Sequence, residues 1–141
     1  MAIVNHPVVN PFALKTATAT FTLDGAVDSD NFSDHIGTLT LVPASAAQSW
    51  TSINGKTIQD ASAATWAAQL GLVQDLDESG FSRWLLAHEG ERATAVFTFK
   101  TGADTVTIEV ILTPAQFGGT ADGTLAQATV TLPCDGKPVW S

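Results

Sequence analysis

The sequence predicts an all-β fold, a mainly antiparallel sandwich or barrel with one short α-helix. Three observations predict it. Several stretches of five to nine residues alternate strictly between apolar and polar side chains, the period of a half-buried strand. Turn-forming residues separate these stretches at close intervals, as in antiparallel sandwiches. Only one segment, around residues 79–90, spaces its apolar residues for a helix.

Residues 79–112 organise the chain. Phe81, Trp84, Leu85 and His88 fall at i, i+3, i+4 and i+7, one face of a helix. Ser79 is expected as its N-cap, and Gly90 as the left-handed residue that ends it. A helix of roughly 10 residues is marginal in water on its own, so Phe81, Trp84 and Leu85 must dock on an apolar surface. The next two strands supply that surface. Ala93, Ala95, Phe97 and Phe99 line one face of residues 93–100, and Val106, Ile108, Val110 and Leu112 one face of residues 105–112. A turn over residues 101–104 sets Lys100 against Thr105, Phe99 against Val106 and Phe97 against Ile108. The expected core is therefore Phe81, Trp84, Leu85, Phe97, Phe99, Val106, Ile108 and Val110.

Residues 1–16 carry Pro7 and Pro11 and little periodicity, which predicts an extended arm. Residues 17–24 form a first strand, with Ala17, Ala19, Phe21 and Leu23 opposite Thr18, Thr20 and Thr22. A loop over 25–36 leads to a second strand, 38–42, which Pro43 interrupts. Residues 50–53 and 56–59 flank Asn54-Gly55, the signature of a type I′ hairpin. Residues 65–73 make a strand with Trp66, Ala68, Leu70 and Leu72 on one face; Gly71 weakens it, and the alanine content of residues 61–70 would also allow a helix. Residues 128–132 make the last strand, which Pro133 closes before a C-terminal tail, 133–141. One domain spanning residues 1–141 is expected.

Charged residues are 14% of the chain, against ~25% in ordinary domains. Hydrophobic residues are 45%, and the net charge is −8. Six basic residues scattered along the chain do not make the patch that phosphate binding requires. A lone cysteine, Cys134, excludes an internal disulfide. Neither a signal peptide nor a membrane-spanning stretch is expected, which predicts a soluble chain made in a cytoplasm.

No catalytic, cofactor-binding or metal-binding residues are assigned. The acidic stretch 28–34 lacks the spacing and closing glutamate of a calcium loop and reads as a solvated turn. Asp75, Asp77 and Glu78 read as complements of the helix dipole. His6, His35 and His88 show no metal-ligand spacing. Trp50 and Trp140 could serve a carbohydrate-binding module, the alternative reading from a different class. The more unusual feature is a set of strand faces rich in threonine and poor in charge, which suits the wall of a polar channel or a contact between subunits. The apolar arm and the Asn-Gly hairpin are the expected interface, through Val8, Val9, Phe12, Trp50, Ile53, Asn54 and Gly55.

Three segments carry a family resemblance over residues 50–141: GFSRWLLAHEGERATAVFTFK, ATVTLPCDGKPVW and SWTSINGKTIQDASAATWAAQLG. In their order and pattern the chain resembles the major tail tube proteins of long, non-contractile-tailed bacteriophages, above all those of actinobacterial hosts. The resemblance implies a β-sandwich flanked by a helix and assembled as hexameric rings stacked into a tube. It implies no enzyme activity and no cofactor. Its implied partners are copies of itself, the tape measure protein, tail terminator and tail tip proteins, and double-stranded DNA as passing cargo that is not tightly bound. The implied location is the virion tail, assembled in the host cytoplasm without membrane contact. A secretion-system tube ring of similar fold is the related alternative.

Overall fold

The computed structural model describes residues 2–9, 11–14, 16–45, 47–61, 64–99 and 104–141. It is mostly antiparallel sheet with a single short helix. The strands are β1 (Thr18–Leu23), β2 (Asp30–Asn31), β3 (Ile36–Ala44), β4 (Ala47–Thr51), β5 (Thr57–Ala61), β6 (Thr65–Val73), β7 (Arg92–Thr98), β8 (Val106–Ile111) and β9 (Gln127–Trp140); helix α1 is Phe81–Ala87. Seven strands are hydrogen-bonded in the order β2-β1-β7-β8-β9-β6-β3, and β4 and β5 form a separate two-stranded ribbon. β9 turns the corner. Its first half pairs only with β6, up to Ala67 opposite Pro133, and its second half only with β8, starting at Val110 opposite Cys134. Two layers result, and their inner faces share one core.

That core follows the period of two. Ala19 and Phe21 of β1, Ala93, Ala95 and Phe97 of β7, and Val106, Ile108 and Val110 of β8 are buried, as are Ala68, Leu70 and Leu72 of β6 and Ala128, Val130 and Leu132 of β9. Phe81 and Leu85 of α1 are fully buried, whereas Trp84 and Phe99 are only partly so and sit at its margin. Phe21 is the hub of the aromatic packing, with ring centroids 5.5 Å from Phe81, 5.8 Å from Trp84 and 5.9 Å from Phe97.

Several expectations are corrected. The β7–β8 register is shifted by two residues, so Phe97 faces Val106 and Ala95 faces Ile108. A slip of two leaves every side chain on its own face, and alternation alone cannot detect it. The expected turn at 101–104, and with it Lys100, lies outside the described residues except for Asp104.

The N-cap of α1 is Gly80, not Ser79. A Cβ at Gly80 would lie 2.4 Å from the Asp75 carbonyl oxygen, so only glycine fits where the chain enters the helix. Ser79 instead donates from its N–H and its hydroxyl to Asp77 Oδ2, at 3.1 and 2.5 Å. Gly90 does take a positive φ of 82°, but it lies two residues beyond the cap at His88 and donates to the Leu112 carbonyl.

Neither proline ends its strand. Pro43 lies inside β3, which is an edge strand and can spare an N–H. Pro133 lies where β9 changes partners, so the expected tail is a strand through Trp140. The 25–36 loop is also not free. Asn31 Oδ1 accepts from the Ser33 N–H and hydroxyl, shaping a short 3-10 turn. Phe32 is buried, 4.6 Å from the Phe81 ring and 5.0 Å from Trp84.

Two substitutions test this packing. Phe81→Ala should cost about 3–5 kcal/mol in urea denaturation, and Trp84→Ala, at the margin, less. A Cβ at Gly71 would meet Thr38 Oγ1 at 2.5 Å and Thr38 Cβ at 3.1 Å across the β3–β6 ladder. Gly71→Ala should therefore destabilise by about 1–3 kcal/mol, and in a Thr38→Gly background the same change should cost much less. Equal effects in both Thr38 backgrounds would rule out the clash.

Candidate functional site

The surface features that could carry function are assembly features: an apolar arm, an apolar ribbon, an apolar groove and two threonine-rich faces. Residues 2–9 and 11–14 form no regular secondary structure. Val8 and Val9 are 83% and 77% exposed, as freely held as Ile3 and Val4. Phe12 is less exposed and packs its ring 6.0 Å from Phe99, which in turn lies 6.4 Å from Trp140. These three rings stand on the rim of a groove of about 500 Å³, whose floor and walls include Leu39, Leu41, Trp66 and Pro138. Among the described residues no charged side chain lines it.

The expected hairpin is present as β4–β5, but its turn differs. Trp50 faces Ile58 and Thr51 faces Thr57, leaving a loop from Ser52 to Lys56. The Gly55 N–H donates to the Ser52 carbonyl and the Ser52 N–H to the Lys56 carbonyl. Gly55 has a φ of 87° while Asn54 stays at negative φ. This is a turn followed by a left-handed glycine, not type I′, which needs both central residues at positive φ. The Ser52 side chain selects the longer loop, since its Oγ accepts the Lys56 N–H at 3.1 Å and bonds to Asn54 Oδ1. Trp50, Ile53 and Ile58 are exposed along the ribbon, and Asn54 and Gly55 are exposed at its tip.

The structure separates the two tryptophans considered for sugar binding. Trp50 belongs to the ribbon and Trp140 to the groove of the large sheet. The threonine faces are real surfaces. On β3, β6 and β9, Thr40 pairs with Gln69 and Gln69 with Thr131, while Thr38 pairs with Gly71 and Gly71 with Thr129. These positions alternate with the buried Leu39, Leu70 and Val130, so they form one outward face without a charge. On β1, β7 and β8 the outward face carries Thr18, Thr20, Thr22, Thr94, Thr98 and Thr107.

Charge gathers at one end of that second face. Arg92 Nη1 bonds to Asp135 Oδ2 at 2.6 Å, and Glu109 lies opposite Asp135 across the β8–β9 ladder. Asp24, brought in by its N–H bond to the Arg92 carbonyl, raises the Glu109 pKa through a shared hydrogen bond and like charge. Hydrogen bonds from Ser79 hold Asp77 below the usual range, and hydrogen bonds from Thr124 do the same for Asp122. Burial pushes the Cys134 thiol up, the opposite of what a nucleophilic cysteine requires. Among the described residues no three of His, Cys, Asp and Glu converge to hold a metal ion, and no helix is long and apolar enough to cross a membrane.

The buried Phe32 and the groove were both missed from sequence. Phe32 sits in a polar, acidic stretch where one aromatic residue was the available signal. The groove joins residues from positions 12, 41, 66, 99 and 140, and no local pattern links those.

No protein-family model matches the chain, and no curated protein matches it in sequence. In structure it is similar to a chain of the anti-feeding prophage (AFP) baseplate, solved by cryo-EM and 6-fold symmetrised. That likeness has a TM-score of 0.55 at 14% identity, and covers 95% of this chain and 97% of that one. The two chains share a fold along nearly their whole lengths.

The charge cluster gives a pH prediction. A carboxyl whose folded pKa is raised binds its proton more readily in the folded state, so this cluster favours folding more as pH falls through the raised pKa and less as pH rises above it. Asp24→Asn should return the Glu109 titration, followed by carboxyl NMR shifts, toward the ordinary glutamate range. It should also flatten the dependence of stability on pH in that window. An unchanged Glu109 titration would mean that Asp24 is not the cause.

Proposed function

We propose that the chain is a structural subunit of a phage-tail-like particle, and within it a ring-forming subunit of the tail tube. The observation that carries this reading is the shared fold, end to end, with a chain of a sixfold-symmetrised baseplate. Three features of the chain support it. Apolar residues stand exposed on the arm and the ribbon, where neighbouring copies would cover them. β2 and β3 are open sheet edges that assembly would protect. The sparse charge and neutral threonine faces suit surfaces that meet other subunits or line a polar passage.

In this role the chain does no covalent chemistry and takes no cofactor. Rings of it would stack around the tape measure protein, end against tail terminator and tip proteins, and later conduct double-stranded DNA. A net charge of −8 fits a conduit, because like charge keeps phosphate from sticking. The neighbour's membership of a baseplate favours a second placement, as a ring at the end of a tail rather than along it.

Negative-stain microscopy of concentrated protein distinguishes these outcomes. Stacked tubes with a central hole are expected for a tube subunit, and single rings that do not stack for an end ring. A strict monomer at high concentration would overturn both. Duplex DNA should not be retained in filter binding at low salt, where phosphate contacts are strongest. Tight, salt-sensitive retention would contradict a conduit.

A further inference from the structure

We propose that the apolar groove beside Trp140 receives the N-terminal arm of a second copy of this chain. The inference rests on the assembly reading above and names the contact that would join one copy to the next. Three observations select the arm as occupant.

The first is chemical match. The groove is lined by Phe12, Phe99 and Trp140 with Leu41, Trp66 and Pro138, and among the described residues its polar members are Thr38 and Thr40. The arm between residues 2 and 14 contains no Asp, Glu, Lys or Arg. A charged segment would lose its hydration there without compensation, whereas this one brings Ile3, Val4, Val8 and Val9 and no fixed charge from Asp, Glu, Lys or Arg. The ribbon is a poorer match, since Lys56 and Asp60 lie within it.

The second is shape. Pro7 and Pro11 keep the arm from coiling into a helix, and residues 2–9 and 11–14 form no regular secondary structure. Fully extended, residues 2–9 can span roughly 25–30 Å, enough to leave one molecule and lie along another. The third is continuity. The arm's own base, Phe12 and Leu14, already forms one wall of the groove, so its apolar strip begins at the site. Yet residues 3, 4, 8 and 9 leave that surface, and Trp140 stays 64% exposed. Each copy thus presents an uncovered apolar strip and an uncovered apolar groove, and docking the strip of one into the groove of the next covers both. Such a contact is head-to-tail, the kind that propagates into a ring or an open helix.

Mixing experiments test the direction of the contact. Sedimentation velocity is run on the wild type, on an arm variant (Val8→Asp with Val9→Asp), on a groove variant (Trp140→Asp) and on the two variants mixed equally. Each variant alone should stay a single chain, and the mixture should give a species of two chains and nothing larger, because it contains one sound arm for one sound groove. Loss of fold in Trp140→Asp would mimic part of this. Trp140→Ala is therefore run beside it with circular dichroism, and a capped peptide of residues 2–9 is titrated into the wild type while tryptophan emission is read. A saturable change is expected in the wild type and not in Trp140→Ala. Variants that assemble like the wild type, or a wild type that assembles but gives no peptide response, would overturn the arm-in-groove contact and leave the assembly reading standing. A monomeric wild type that still binds the peptide would do the reverse, and a monomeric wild type without peptide response would overturn both.

Discussion

Both layers hang on β9. It gives its hydrogen bonds to β6 before Pro133 and to β8 after it, so the two inner faces are held at a fixed offset by one covalent chain. Sandwich corners are made where a strand changes sheets, and here the change falls at the residue that has no N–H to offer. Beyond the corner the β8–β9 ladder is irregular between Thr107 and Glu109, and the strand resumes with Val139 and Trp140 against Thr107 and Val106. That resumption sets Trp140 beside Phe99 at the mouth of the groove. Without the corner the groove would have no such wall, and Leu132, Leu70 and Val110 would not face a common interior.

The interior is then closed by aromatic rings from distant parts of the chain. Phe21 of β1, Phe32 after β2, Phe81 and Trp84 of α1 and Phe97 of β7 form one continuous contact set. A seven-residue helix has little stability of its own; it persists because Phe81 and Leu85 lie in this cluster. The same need explains why Phe32 is drawn in from a polar loop. Burying its ring supplies more than the loop's hydrogen bonds to water would.

What could be read beforehand was whatever depends on one face of one element. β6 emerged over its full length because the alternation of Trp66, Ala68, Leu70 and Leu72 outweighed the helix that its alanines also allow and the glycine at 71, and the inward faces of β7 and β8 emerged from alternation as well. Register did not, since a shift by two preserves alternation. Punctuation misled in a consistent way. Pro43 and Pro133 look like strand ends, but a proline costs little at a sheet edge or a change of partner, and neither circumstance is local. Ser79 looks like a cap until the approach of Asp75 to Gly80 is known. The candidate interface divides similarly: the exposed arm and ribbon could be proposed from composition, while the groove exists only after five separated segments have met.

The outward face of β3, β6 and β9 has one more property. Thr38, Thr40, Gln69, Thr129 and Thr131 contribute dipoles and hydroxyls and no fixed charge, and Asp34 and His35 border it beside Thr38, Gly71 and Thr129. Away from that border, at Thr40, Gln69 and Thr131, dissolved ions have no fixed charge to screen. Whatever rests against Thr40, Gln69 and Thr131 meets nearly the same surface in dilute buffer and in concentrated salt, while the opposite layer gathers Asp24, Glu109, Asp135 and Arg92 at one end. One layer holds a partner by contact and hydrogen bonds alone, and the other carries its charge.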